Sequence, residues 1–140
     1  MPSTTPSWRI HFFRRHVADD AAQSVPARAF LDALPRKVAA EFHAVLDAVA
    51  QAPPPSFSGG GKWEAMHGDM AGLYEIRIGA GDTNFRLFCI LERDAADLGG
   101  SSIIVLGGLQ KRRREAASQR EYRRIRQLAT EFSKRRSVLP

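Results

Sequence analysis

The stretch Leu73 to Leu91 reads LYEIRI-GAGDT-NFRLFCIL, two alternating runs about a Gly-Asp centre. A period of two places successive side chains on opposite faces of a strand. In the first run Tyr74, Ile76 and Ile78 share one face, and Leu73, Glu75 and Arg77 share the other. In the second, Phe85, Leu87, Cys89 and Leu91 oppose Arg86, Phe88 and Ile90. Gly81 stands where a two-residue type II′ turn requires glycine, so the two runs form a hairpin. Centring it on Gly81-Asp82 sets Ile78 against Phe85, Ile76 against Leu87, and Arg77 directly against Arg86. Like charges facing across strands are destabilising. Either an anion sits between the two guanidinium groups, which bind phosphate in bidentate fashion, or each arginine takes a carboxylate of its own, Glu75 for one of them. Both readings stand on the sequence.

Working outward, Trp8 to Phe13 (WRIHFF) is a strand candidate. Ser24 is placed to cap a helix with Pro26 near its first position, and Ala27, Phe30, Leu31 and Leu34 recur at helical spacing. Pro35 ends that helix and suits the start of a second, striped by Val38, Phe42, Val45, Leu46 and Val49. Together they predict an αα-hairpin. Ala52 to Gly61 (APPPSFSGGG) reads as a loop, and Glu92 to Gly100 as a polar one. Ser102 to Leu106 (SIIVL) is a buried-strand run. A last helix, about Glu115 to Lys134, carries Tyr122, Ile125, Leu128, Ala129 and Phe132 on one side and Arg120, Arg123, Arg124 and Gln127 on the other. The order β-αα-β-β-β-α predicts an α+β fold: an N-terminal strand and helical hairpin packed on a small, mostly antiparallel sheet, with a basic C-terminal helix. The helices are expected on one sheet face. The expected division is a disordered leader over 1–7, one domain over 8–134, and a basic tail over 135–140.

The 140 residues, 44% hydrophobic and 26% charged, suit one folded domain. A single cysteine, Cys89, excludes a disulfide framework and a cysteine-rich zinc site. No apolar run reaches the ~18–20 residues of a membrane span, and Met1 to Ser7 shows no secretion signal. The expectation is a cytoplasmic protein with no membrane partner. Charge is strongly segregated. Residues 1–110 hold ten basic and twelve acidic groups, whereas 111–140 hold eleven basic and three acidic. The chain's net +6 thus comes wholly from its last thirty residues. Such an imbalance points to a polyanion, nucleic acid before membrane. A solvated helix with a basic tail is the competing explanation.

Several chemistries lack their residues. Gly59-Gly60-Gly61-Lys62 has neither the spacing nor the Ser/Thr of a phosphate loop. The four histidines show no metal-ligand spacing, there is no G-x-S-x-G elbow, and no carboxylate cluster suggests a two-metal nuclease. What remains is many cations and few acids. RNA brings its own nucleophile, the 2′-OH, so a protein that cuts it need supply only orientation and charge. Arginine and lysine stabilise the charge of a pentacoordinate phosphate, and a lysine among cations has a lowered pKa suited to proton transfer. Neither metal nor cofactor is needed. Arg77 and Arg86 would sit at the centre of such a site, with Lys62, His67 and the run Lys111-Arg112-Arg113-Arg114 at its rim. His67 also reads as an ordinary loop histidine, and Tyr74 as core.

Four segments together resemble a known family: Lys62…Met66-His67-Gly68-Asp69, Leu73-Tyr74-Glu75-Ile76-Arg77, Asn84-Phe85-Arg86-Leu87-Phe88, and Val105-Leu106-Gly107-Gly108-Leu109-Gln110-Lys111-Arg112. They resemble the HigB-like branch of the RelE toxin superfamily, the toxins of type II toxin–antitoxin systems, over about Trp8 to Phe132. Its members are often described as phage-derived. The resemblance implies a small α+β fold and a metal-independent endoribonuclease, or mRNA interferase, that cuts messenger RNA, usually on the ribosome. It also implies neutralisation by a cognate antitoxin, a small helix-turn-helix protein. Arg77, Arg86 and Lys111 take the catalytic positions, with Lys62, His67, Arg112, Arg113 and Arg114 as RNA-binding groups. The chain departs from the family where Leu109 replaces an aromatic residue and Lys111-Arg112-Arg113-Arg114 replaces a Lys-Lys-Thr run. Two other readings share these residues: a non-catalytic nucleic-acid- or antitoxin-binding module, and a structural phage-type protein whose basic tail aids assembly.

Overall fold

In the computed structural model, which describes residues 7–53 and 62–140, the hairpin takes the register its alternation dictates. Strands β3 (Tyr74–Ala80) and β4 (Thr83–Glu92) pair antiparallel, with Ala80 opposite Thr83, Ile76 opposite Leu87, and Arg77 opposite Arg86. Gly81 turns the chain at φ +59°, a left-handed value that a side chain would strain. The expected leader, apart from Ser7, and most of the Ala52–Gly61 loop lie outside the described residues.

Three more strands complete the sheet in the order β1-β5-β4-β3-β2. β5 (Ser102–Arg112) is antiparallel to β4, β1 (Arg9–Phe12) is parallel to β5, and β2 (Trp63–Ala65) is antiparallel to β3. Sequence reading missed β2, which is too short to show a period; its Trp63 ring stacks on Tyr74 at 5.1 Å. β5 is also longer than the apolar run predicts. The ten residues of β4 offer partners as far as Thr83, which pairs with Arg112, so Lys111 and Arg112 end a strand rather than begin a turn. A bulge between Phe88 and Cys89 absorbs one residue of β5.

Helices α1 (Pro26–Asp32) and α2 (Arg36–Gln51) cover one face, where Phe42, Leu46 and Val49 bury against Ile76, Leu87, Cys89, Ile103 and Val105. Helix α3 (Gln119–Arg135) covers the other, with Ile125, Leu128 and Phe132 against Phe88, Ile104 and Leu106. The expectation of helices on a single face is therefore corrected. The apolar residues that alternate with Arg86 need cover too, and the unbroken apolar run of β5 is what burial on both faces produces. Ser24 is not the cap of α1: its hydroxyl and N–H both bind Asp20 (2.7 and 2.9 Å), and Val25 precedes Pro26 at the helix start. α3 begins later than expected, at a capping box in which Ser118 and Glu121 satisfy each other's backbone N–H groups. Beyond it, Val138 bridges Phe13 and Arg136 ion-pairs with Asp97 (2.7 Å) and Glu92 (3.2 Å). Among the described residues no helix is long and apolar enough to cross a membrane.

Candidate active site

Arg77 and Arg86 stand side by side on the sheet face that α3 covers, near the helix's first turns. The two explanations left open for them divide between the pair. Arg77, its side chain half exposed, donates from Nε to Oε1 of Glu75. Burial works against the Arg77 charge, but the Glu75 hydrogen bond and charge outweigh it and raise its pKa. Glu75 is only 2% exposed, and its second oxygen is buried with no hydrogen-bond partner. Arg86 takes no carboxylate among the described residues. Its Nη1 donates to the hydroxyl of Tyr122 at 2.7 Å, and its Nε is buried and unpartnered. A buried acceptor and a buried donor thus lie on the same sheet face, where water, an ion or a ligand can satisfy them. One guanidinium is neutralised and one is not, which leaves a net positive centre for an anion.

α3 organises the remaining side chains. Glu121, the capping residue, ion-pairs with Lys111 (2.6 Å), while its neighbour Tyr122 holds Arg86 and packs edge-on against Phe88. The hydrogen bond to Glu121 raises the pKa of Lys111 above its ordinary value. This corrects the expectation of a lysine with lowered pKa: its immediate neighbour is an acid, not another cation. The carbonyl oxygen of Lys62 accepts from the Arg77 backbone N–H (2.9 Å), but its side chain turns away from the arginine pair, with Nζ 3.8 Å from Glu41 of α2 on the opposite side of the sheet. His67 is exposed and precedes a 3₁₀ turn at Gly68–Met70. Arg112, Arg113 and Arg114 are exposed beyond Lys111, with no ion pair among the described residues. No group of three or more His, Cys, Asp or Glu among those residues is arranged to hold a metal ion.

Sequence reasoning missed the roles of Tyr122, read only as the start of an apolar stripe, and of Glu121. Ser118-x-x-Glu121 is a readable capping signature, which puts Glu121 and Tyr122 in the first turn of α3 but does not show what they face. Glu75 reads in the sequence only as a counter-ion, because the alternation of a strand does not show how deeply either face is covered.

A family model, Phage derived protein Gp49-like (DUF891), matches residues 29–130, most of the chain from α1 to α3. The chain belongs to this family. This Gp49-like protein is also similar to a chain of the toxin–antitoxin complex RelBE2 from Mycobacterium tuberculosis. That likeness has 14% identity and a TM-score of 0.48, and covers 75% of this chain and 99% of the other. No curated protein matches the Gp49-like chain.

Proposed function

We propose that this protein is the toxin of a type II toxin–antitoxin pair, HigB-like in type, and that it cleaves messenger RNA on the ribosome by a metal-independent route. One observation carries the reading: two arginines directly opposed on β3 and β4, in contact with a buried carboxylate that has an oxygen to spare and with a tyrosine hydroxyl. Membership of a phage-derived family agrees with the resemblance seen in the sequence. In this mechanism Arg77, half exposed, turns from Glu75 to the phosphate, and the carboxylate it uncovers accepts the proton of a ribose 2′-OH, which attacks the adjacent phosphorus. The P–O5′ bond breaks and the Tyr122 hydroxyl protonates the leaving 5′-oxygen; Tyr122 then regains a proton from solvent, and Glu75 gives its proton up to solvent. Arg86 and Arg77 stabilise the charge of the pentacoordinate phosphate. Lys111, held charged by Glu121, contributes electrostatics and no proton. The products are a 2′,3′-cyclic phosphate and a 5′-hydroxyl. A cytoplasmic location follows from this substrate, and the exposed arginines of α3 and of the turn before it are a surface for RNA and for a small helix-turn-helix antitoxin.

The test is growth inhibition and ribosome-programmed cleavage by wild type and Arg86→Ala, with circular dichroism on each. Loss of one transition-state donor costs roughly 10²–10³ in rate, so a folded but non-toxic variant is expected. A 2′-deoxy nucleotide at the cleaved position abolishes cutting if the 2′-OH is the nucleophile. Undiminished cutting of that substrate refutes the mechanism. The second reading, a non-catalytic nucleic-acid- or antitoxin-binding module, is favoured by the fact that Arg77, Arg86 and Lys111 already have partners within the chain. It predicts RNA binding with no cleavage.

A further inference from the structure

Where α3 begins, the chain leaves a cavity of about 330 Å³ beside the 3₁₀ turn Gly68–Met70, lined by Asp69, Met70, Gln119, Tyr122, Arg123 and Arg126. Its size falls in the ~300–1,000 Å³ range of small-ligand pockets. Tyr122 ties it to the arginine pair: the residue lines the cavity while its hydroxyl accepts from Arg86 at 2.7 Å. The cavity is therefore one aromatic ring away from the guanidinium assigned to phosphate. Arg126 fixes its rim by donating to the carbonyl oxygens of Asp69 and Ala71, both at 2.7 Å. The carboxylate of Asp69 and the guanidinium of Arg123 have no partner among the described residues.

We infer that this cavity is a nucleobase subsite that selects guanine next to the scissile phosphate of single-stranded RNA. For its natural ligand the inference rests on the RNA-cleaving reading above. An unstacked RNA base is read along its Watson–Crick edge and packed on aromatic or guanidinium planes. Tyr122 and Arg123 supply such surfaces, and Met70 an apolar one. An ionised carboxylate only accepts hydrogen bonds. Guanine is the base with two adjacent donors on that edge, N1–H and N2–H₂, and Asp69 matches both. Adenine and cytosine set one donor beside an acceptor. Uracil flanks its single N–H with two carbonyl oxygens, which a carboxylate repels. Asp69 thus ranks guanine first and uracil last, while Gln119 and Arg123 offer donors to guanine O6 and N7.

Two measurements on the whole protein test this, one without cleavage. Titration with guanosine, adenosine and uridine monophosphates is followed by NMR of the Met70 methyl and the Tyr122 ring. Guanosine is expected to bind roughly ten-fold tighter than uridine, as one bidentate base contact provides, and Asp69→Asn is expected to erase the difference. In ribosome-programmed cleavage of messages differing at one nucleotide, wild type should prefer guanine by a similar factor, and the variant should cut all four at comparable rates. Equal response to the three nucleotides, or a guanine preference that survives Asp69→Asn, overturns the subsite. Guanosine-selective binding without any RNA cleavage would overturn the endoribonuclease reading and leave the subsite standing.

Discussion

Arg77→Ala should unfold this protein more readily than its half-exposed position suggests, and Glu75→Gln should rescue it. An ion pair between exposed groups contributes ~0.2–1 kcal/mol, whereas stranding one charge of a buried pair costs ~3–5 kcal/mol. The Arg77–Glu75 pair is lopsided, with side chains 50% and 3% exposed. Removing Arg77 leaves Glu75 as a buried carboxylate with neither oxygen bonded. Some water then reaches it through the space the arginine vacates, so the low end applies, about 3 kcal/mol. For 140 residues that is a fall in Tm of roughly 10 °C. Glu75→Gln removes the buried charge and returns Arg77 to solvent, at about 1 kcal/mol or less. The double variant should melt near the Glu75→Gln single, giving a coupling of about 3 kcal/mol. Thermal unfolding of the four proteins by circular dichroism measures it. The same Glu75→Gln protein should lose roughly 10²–10⁴ in cleavage rate if Glu75 is the base. An Arg77→Ala protein that melts with wild type, or that Glu75→Gln fails to rescue, refutes the argument.

Stability should fall on acidification because hydrogen bonds from Lys111 and Arg136 hold the Glu121 and Asp97 carboxyls below their ordinary pKa values. Their contribution is full above the usual carboxylate range and disappears as pH drops through the lowered values; melting curves between pH 7 and 2 should show this, with a shallower decline for Glu121→Gln. At the alkaline end the raised pKa of Lys111 reverses the sign, and its contribution is lost as pH climbs from the usual lysine value through the raised one. Gly108→Ala would place a methyl 2.4 Å from the ring of Phe30; overpacking of this kind costs ~1–3 kcal/mol, and a variant melting with wild type would show that the ring moves freely. Cys89 is fully buried and burial pushes its thiol pKa up, so the native protein should not react with an aromatic disulfide reagent until denaturant is added.

The antiparallel register of the β3–β4 hairpin was legible in the sequence, and with it the opposition of Arg77 and Arg86. A strand's faces follow from a period of two, and a glycine at a turn centre sets the pairing; both are local properties. The apolar stripes of α1, α2 and α3 were legible for the same reason. The mostly antiparallel α+β class followed from the order of these elements. Tertiary structure decided what surrounds the two arginines. Only the packing of α3 across the second sheet face sets Tyr122 on Arg86, 36 positions away in the chain, and clamps Lys111 to Glu121. The burial of a side chain and the charge of its neighbours depend on segments far away in the chain. Composition shows that the C-terminal third is basic, but which of its cations are spoken for, and which face a ligand, is settled only when the helix has docked.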